Sequence, residues 1–242
     1  MTRRPRPIRT LLLASLTLAL TIGFVGLGWW QIERRAWKID LIDRVESRIA
    51  ASPTTPPGPQ DWADLSREKA EYLRVAAEGQ FLDPVALVQA VTERGGGYWV
   101  VSPFVTQGGM TILVNRGYIP SRTAEITPAE GEQRIVGLLR MTEPEGGFLR
   151  ANDPDAGRWY SRDVAEIARS MGLDTVAPYF VDAEADANGG TPPVGGLTVV
   201  RFRNTHLVYA LTWFTLAAMS LGATILVLRP ARPGAREPRH AD

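Results

Sequence analysis

The chain has 242 residues, a formal net charge of +1, 45% hydrophobic residues and no cysteine. The missing thiols exclude a disulfide, a cysteine nucleophile and copper handling through thiolates. The histidines are His206 and His240 alone, so no Ser-His-Asp hydrolase can be assembled ahead of residue 206, and a zinc site there would rest on carboxylates alone.

Taken in order, Arg3, Arg4, Arg6 and Arg9 make a basic tail over residues 1–9. Residues 10–32 contain no charged side chain, enough at helical rise to cross a hydrocarbon core of about 30 Å. A cleaved signal peptide is the competing reading. Its apolar core would be shorter and would be followed by a small-x-small site, whereas this run continues into "GLGWWQIERR" with Trp29 and Trp30 placed as interfacial anchors. The glycines of "IGFVGLGWW" lack the preceding strand that a dinucleotide fold needs, and no Walker loop occurs.

Residues 33–203 form the next domain. Trp37, Leu41, Val45 and Ile49 recur at steps of four, which extends the helix beyond the membrane as an amphipathic segment. "ASPTTPPGPQ" then predicts an extended linker. Strands are predicted at "YLRVAAEGQFL", "ALVQAVTE", "YWVVSPFV", "MTILVNRGYI" and "QRIVGLLRM", with turns at "RGGG" and "QGG". "SRDVAEIARSMG" predicts a helix capped by Ser161 and stopped at Gly172, and "PYFVDA" a further short strand. The class is α+β with a mainly antiparallel sheet. The carboxylates are plentiful, and nothing in their spacing singles out a pair.

Residues 204–228 are again free of Asp, Glu, Lys and Arg and read as a second transmembrane helix. Residues 229–242 make a proline-rich basic tail in which His240 has no expected role. Basic outer flanks on both helices place the two ends in the cytoplasm and the central domain outside. That central domain is mildly acidic, which argues against a nucleic-acid partner and leaves the lipid bilayer as the evident one. Lys38 and Lys69 are the only lysines among 27 basic residues. This bias points to a GC-rich bacterium, hence to an inner (plasma) membrane with a periplasmic domain.

"GLGWWQIERRAWK", "ILVNRGYIP", "GLLRMTE", "RWYSRDVAEIA" and "GGLTVVRFRNTHLVYALTWFTLA" follow one another as the signature blocks of the surfeit locus protein one family do. The resemblance extends from about Gly26 to Ala218. Two departures stand out: Asn204 and Thr205 where two asparagines are usual before the histidine, and Tyr118 where the strand block often ends in tryptophan. Members are membrane-bound assembly factors for cytochrome c oxidase, so the resemblance implies a noncatalytic role in maturing oxidase subunit I, with haem A synthase as a second partner. Bacterial members bind haem a, and the resemblance maps the proposed iron ligand onto His206. A neutral imidazole nitrogen is a suitable haem ligand. Arg201, Arg203 and Arg116 are candidates to pair with propionates, because guanidinium matches carboxylate bidentately. Arg201 and Arg203 also fit as ordinary interfacial arginines, and Arg116 as part of the "NRG" turn. A structural chaperone that grips subunit I without holding haem is the alternative function.

Levelling residue 30 with residue 206 pairs positions of the two helices whose numbers sum to about 236. Ser15, Ala19 and Gly23 then form a small-residue stripe opposite Ala218 and Gly222. Gly26 and Gly28 leave space near Tyr209 and Ala210 that Trp30, Tyr209 and Trp213 could wall. The same three aromatics also fit an interfacial belt.

Overall fold

The first uncharged run is helical, and its helix continues beyond residue 32 as the amphipathic spacing predicts. In the computed structural model, which describes residues 8–144, 146–147, 149–185, 191–198, 202 and 204–229, helix α1 spans Ile8–Ala50, 43 residues or about 64 Å at helical rise. The predicted extension is present. Val45 is buried, Leu41 and Ile49 are half-buried, and the helix ends where Ser52 precedes Pro53. Helix α4 spans His206–Leu228. The chain divides into two units, one made by residues up to Ile42 together with those from Phe202, the other by Asp43–Arg201. The boundary therefore lies inside α1 rather than after residue 32.

Within the first unit, the face of α1 turned to α4 carries Ala14, Thr17, Thr21, Phe24, Gly28 and Gln31, while α4 offers His206, Ala210, Trp213, Ala217, Ser220 and Thr224. Both series alternate steps of three and four, the spacing of a left-handed helix pair. Ser220 Oγ donates to the Thr17 carbonyl at 2.8 Å and Thr224 Oγ1 to Thr17 Oγ1 at 2.7 Å. Phe24 stacks on Trp213 with ring centroids 5.7 Å apart. The paired positions sum to about 237, so the depth count holds at this seam. The small-residue stripe does not hold. Ser15, Ala19, Gly23 and Ala218 are exposed, and a Cβ on Gly23 or Gly222 would meet nothing within 4 Å. Strict steps of four drift around a helix by about 40° each, so such a stripe leaves the seam after one or two turns.

The second unit is built on one mixed sheet. Its strands are β1 (Arg74–Phe81), β2 (Ala86–Thr92), β3 (Gly95–Thr106), β4 (Thr111–Ile119), β5 (Gln133–Met141) and β6 (Tyr179–Ala183), in the order β1-β5-β6-β4-β3-β2. A further pairing joins β1 to β3 at Gly79↔Thr106, Gln80↔Val105 and Phe81↔Phe104. It closes five strands into a barrel and leaves β2 outside, against the first half of β3. Among the described residues, these strands pair antiparallel except β4 with β6, which the chain reaches through β5 and helix α3 (Val164–Ser170). The expected mainly antiparallel α+β fold is thus the observed one.

β4 and β6 are buried along both faces, so their apolar residues do not alternate with exposed polar ones; the polar residues they carry, Asn115, Arg116 and Asp182, are buried as well. Ile112, Val114, Tyr179 and Val181 join Val75, Phe104 and Leu139 in one core. The alternate residues Leu113 and Phe180 join Trp159, Val164 and Ile167 in a second core under α3. The cap of α3 is Asp163, accepting from the Glu166 amide, rather than Ser161. Ser161 is buried and bonded to Asn152, and Gly172 follows the helix at φ +69° as expected.

The proline-rich segment is extended but docked. Thr54 exchanges backbone bonds with β1, its amide reaching the Arg74 carbonyl and its carbonyl accepting from Ala76. Pro57 lends its carbonyl to Trp62 Nε1 at 3.1 Å and to the Tyr179 hydroxyl at 2.7 Å. Between Ser66, which caps the short helix α2 (Arg67–Ala70), and α1, Arg48 donates to the carbonyls of Glu68 and Glu71.

Candidate functional site

His206 opens α4, behind an N-cap, Thr205, that makes no side-chain capping bond. Its Nδ1 lies 2.7 Å from Gln31 Oε1 on α1. The amide oxygen can only accept, so this bond places the imidazole proton on Nδ1 and leaves the Nε2 lone pair for another partner. That is the arrangement found behind most metal-bound histidines, where a second group fixes tautomer and ring orientation. The residues therefore fit a single axial imidazole ligand for haem iron. Two positions earlier, Asn204 Oδ1 is buried without a hydrogen-bond donor among the described residues.

The aromatic candidates divide. Trp213 is half-buried in the seam, stacked on Phe24. Trp30 and Tyr209 face outward, 54% and 55% exposed. The space expected beside Gly28 is filled, since a Cβ there would come within 2.7 Å of the Phe214 ring. Trp30, Tyr209 and Trp213 consequently do not wall one internal space between the helices. A flat ring held on His206 would rest on the surface of the helix pair. Arg201 and Arg203 lie outside the described residues.

Arg116 belongs to the sheet unit. "NRG" is no turn after an edge strand: it lies within β4 at a β-bulge, where Val100 pairs with Gly117 and Val101 with Asn115, so that Arg116 is the extra residue. The bulge, with Gly117 at φ +135°, turns the buried Arg116 side chain toward the Phe81 ring, 5.1 Å from its centroid, and the Thr127 carbonyl at 2.6 Å. Burial lowers the Arg116 pKa, and Asp83 partly opposes that shift.

Asn115 points into a cluster that sequence reading missed. Asp182, 3% exposed, accepts from Asn115 Nδ2 at 2.8 Å, Arg162 Nη1 at 3.0 Å, Arg140 Nη1 at 3.1 Å and Thr198 Oγ1 at 3.0 Å. Arg140 also donates to Glu71 at 2.7 Å, and Arg162 grips Glu143 through two bonds at 3.0 and 2.7 Å. Burial disfavours the Arg140 cation, yet Asp182, Glu71 and Tyr72 outweigh it and hold its pKa above the ordinary arginine value. The carboxylates are far apart in the sequence, so spacing could not reveal them. The signal was in the hydrogen-bond donors: Asn115, Arg140 and Arg162 each belong to one of the blocks quoted above. With Arg67 also 3.4 Å from Glu71, three guanidinium groups face three carboxylates, and the cluster ties β4, β5, β6 and the segment before α3 together.

The comparisons agree with those blocks. The SURF1 family model matches residues 18–218, a span that includes both the Asp182 cluster and the His206–Gln31 pair. Surfeit locus protein 1 of Homo sapiens is 36% identical over 226 residues, covering 83% of this chain and 72% of the human protein. Surfeit locus protein 1 of Takifugu rubripes is 37% identical over 218 residues, 80% of this chain and 87% of that protein. The SURF1-like protein of Monosiga brevicollis is 33% identical over 243 residues, with 91% and 90% covered. Two membrane-length helices around a closed mixed sheet, matched over most of their length by these relatives, mean that the chain belongs to the SURF1 family.

Proposed function

We propose that this protein binds haem a through His206 at the start of α4 and assists its delivery to, or insertion into, subunit I of cytochrome c oxidase. Membership of the SURF1 family carries the assembly of cytochrome c oxidase as its role. The observation that supports the finer reading is the 2.7 Å bond between His206 Nδ1 and Gln31 Oε1, which orients the ring and leaves Nε2 as the donor. When bound, the haem would supply an iron centre that accepts this nitrogen. Trp213, Tyr209 and Trp30 offer apolar surface beside it, while Arg203 and Arg201 are the candidates for its propionates. The role is that of a carrier rather than a catalyst, with subunit I and haem A synthase as partners. The setting that fits the basic helix flanks is a bacterial plasma membrane with the sheet unit in the periplasm.

The test compares haem a per purified protein for the wild type and His206→Ala, from cells that synthesise haem a. The wild type is expected to carry the cofactor and the variant to lose it, with equal membrane abundance. Equal occupancy would eliminate His206 as ligand. One observation favours a second reading, a structural chaperone that never holds haem. Ser15, Ala19 and Gly23 form a small-residue face left open on the outside of the helix pair, where a helix of subunit I could approach closely. A folded wild type free of haem a would favour that reading.

A further inference from the structure

A concave patch of the sheet unit gathers three arginines around a cavity of about 200 Å³. Arg122 follows β4, and Arg150 and Arg158 lie on the segment before α3. The buried Trp159 forms the floor. The Arg122 guanidinium sits over Tyr98, 4.9 Å from the ring centroid, and that of Arg150 over Tyr160 at 5.5 Å. Stacking of this kind fixes the guanidinium plane and leaves its N–H edge to bond elsewhere.

The protein uses few of those donors. Among the described residues, Arg122 gives both terminal nitrogens to a single carbonyl, that of Gly157, at 3.2 Å each. Arg150 gives one nitrogen to Gln89 Oε1 at 3.3 Å. These are long beside a charge-assisted bond of about 2.7–2.9 Å. Arg158 alone has a carboxylate partner, Asp153, at 2.5 Å, so the cavity keeps the charge of two arginines. It is too small for a large organic ligand, whose pockets begin at about 300 Å³. A tetrahedral oxyanion fits it, since guanidinium forks bond such groups bidentately.

We propose that this cavity is a phosphate-binding site, recognising the group either as free phosphate or on a phospholipid head, through Arg122 and Arg150 with Arg158 released from or shared with Asp153. The full chain in non-ionic detergent is titrated calorimetrically with inorganic phosphate at constant ionic strength. In parallel, native mass spectrometry counts retained phosphatidylglycerol against phosphatidylcholine. Wild type and the control Arg169→Gln, exposed on α3, are expected to saturate with phosphate. The Arg122→Gln/Arg150→Gln double variant should bind about tenfold or more weakly. The lysine pair Arg122→Lys/Arg150→Lys keeps the charge, loses the fork and should fall between them, which preserves the test should the glutamine pair not fold. Retention of phosphatidylglycerol by wild type and its loss in the variant, without saturation by free phosphate, would assign the lipid head as the source. No saturable phosphate and no selective retention by wild type would overturn the proposal, as would undiminished binding in both double variants.

Discussion

A single amide decides what His206 can offer. Gln31 takes the Nδ1 proton, and without that acceptor the ring is free to turn and to change tautomer. Gln31→Leu should therefore weaken haem a retention by about 10–100-fold while leaving α4 in place, read as the haem a to protein ratio after washing with an imidazole series. Unchanged retention would show that the bond does not position the ligand. Asp182 is the opposite kind of residue, important for what it balances. Asp182→Asn removes the buried carboxylate that the guanidinium groups of Arg140 and Arg162, 14% and 13% exposed, share. A loss of about 3–5 kcal/mol is expected, measured by chemical denaturation of the full chain in detergent. A loss below about 1 kcal/mol would mean that Glu71 and Glu143 suffice.

Between elements, the seam of α1 and α4 makes distinguishable predictions. Gly28→Leu must displace Phe214 and should lower the thermal stability of the helix pair, whereas Ala19→Leu points away from α4 and should leave it unchanged. Equal effects would place the seam elsewhere. β1 and the end of β6 are joined by Arg74 and Glu184, at 2.6 and 2.9 Å. The bonds from Arg74 hold the Glu184 carboxyl below its ordinary pKa. A depressed carboxyl stabilises the fold above the unfolded value of about 4.3 and stops doing so as pH falls through the folded value. The stability gap between wild type and Glu184→Gln, about 1 kcal/mol or less for so exposed a pair, should thus be present at neutral pH and closed in acid. Much at this scale was legible. All six strands and α3 were found because β-branched runs and turn glycines mark them locally. The β-bulge at Arg116, the barrel closure and the Asp182 cluster were not legible, because each joins residues that only long-range pairing brings together. Thr17, Thr21, Ser220 and Thr224 lie on the seam at alternating steps of three and four, a pattern that a strict step of four does not follow. Gln31 was in plain view within its block, yet its role depends on facing α4.

For the whole molecule, the basic flanks of the two helices predict both chain ends on the cytoplasmic side. Cysteines introduced singly into this thiol-free chain should be labelled from the periplasmic side at Thr54, which is exposed, and only from the cytoplasmic side at Ala235, which lies outside the described residues. Reversed labelling would overturn the orientation. The barrel itself is closed by a pairing of only three residues, those of β1 that meet Phe104–Thr106 of β3. Apart from β2, which lies outside the ring, the closed strands have no edge to offer a neighbouring chain, and among them the hazard of edge-to-edge association returns when a seam parts. Amides of Gln80 and Phe81 should consequently exchange with deuterium sooner than those of Arg74–Glu78, which β1 pairs with β5. A destabilised variant would then begin to aggregate at that seam, by unzipping three residues while the rest of the sheet is still paired.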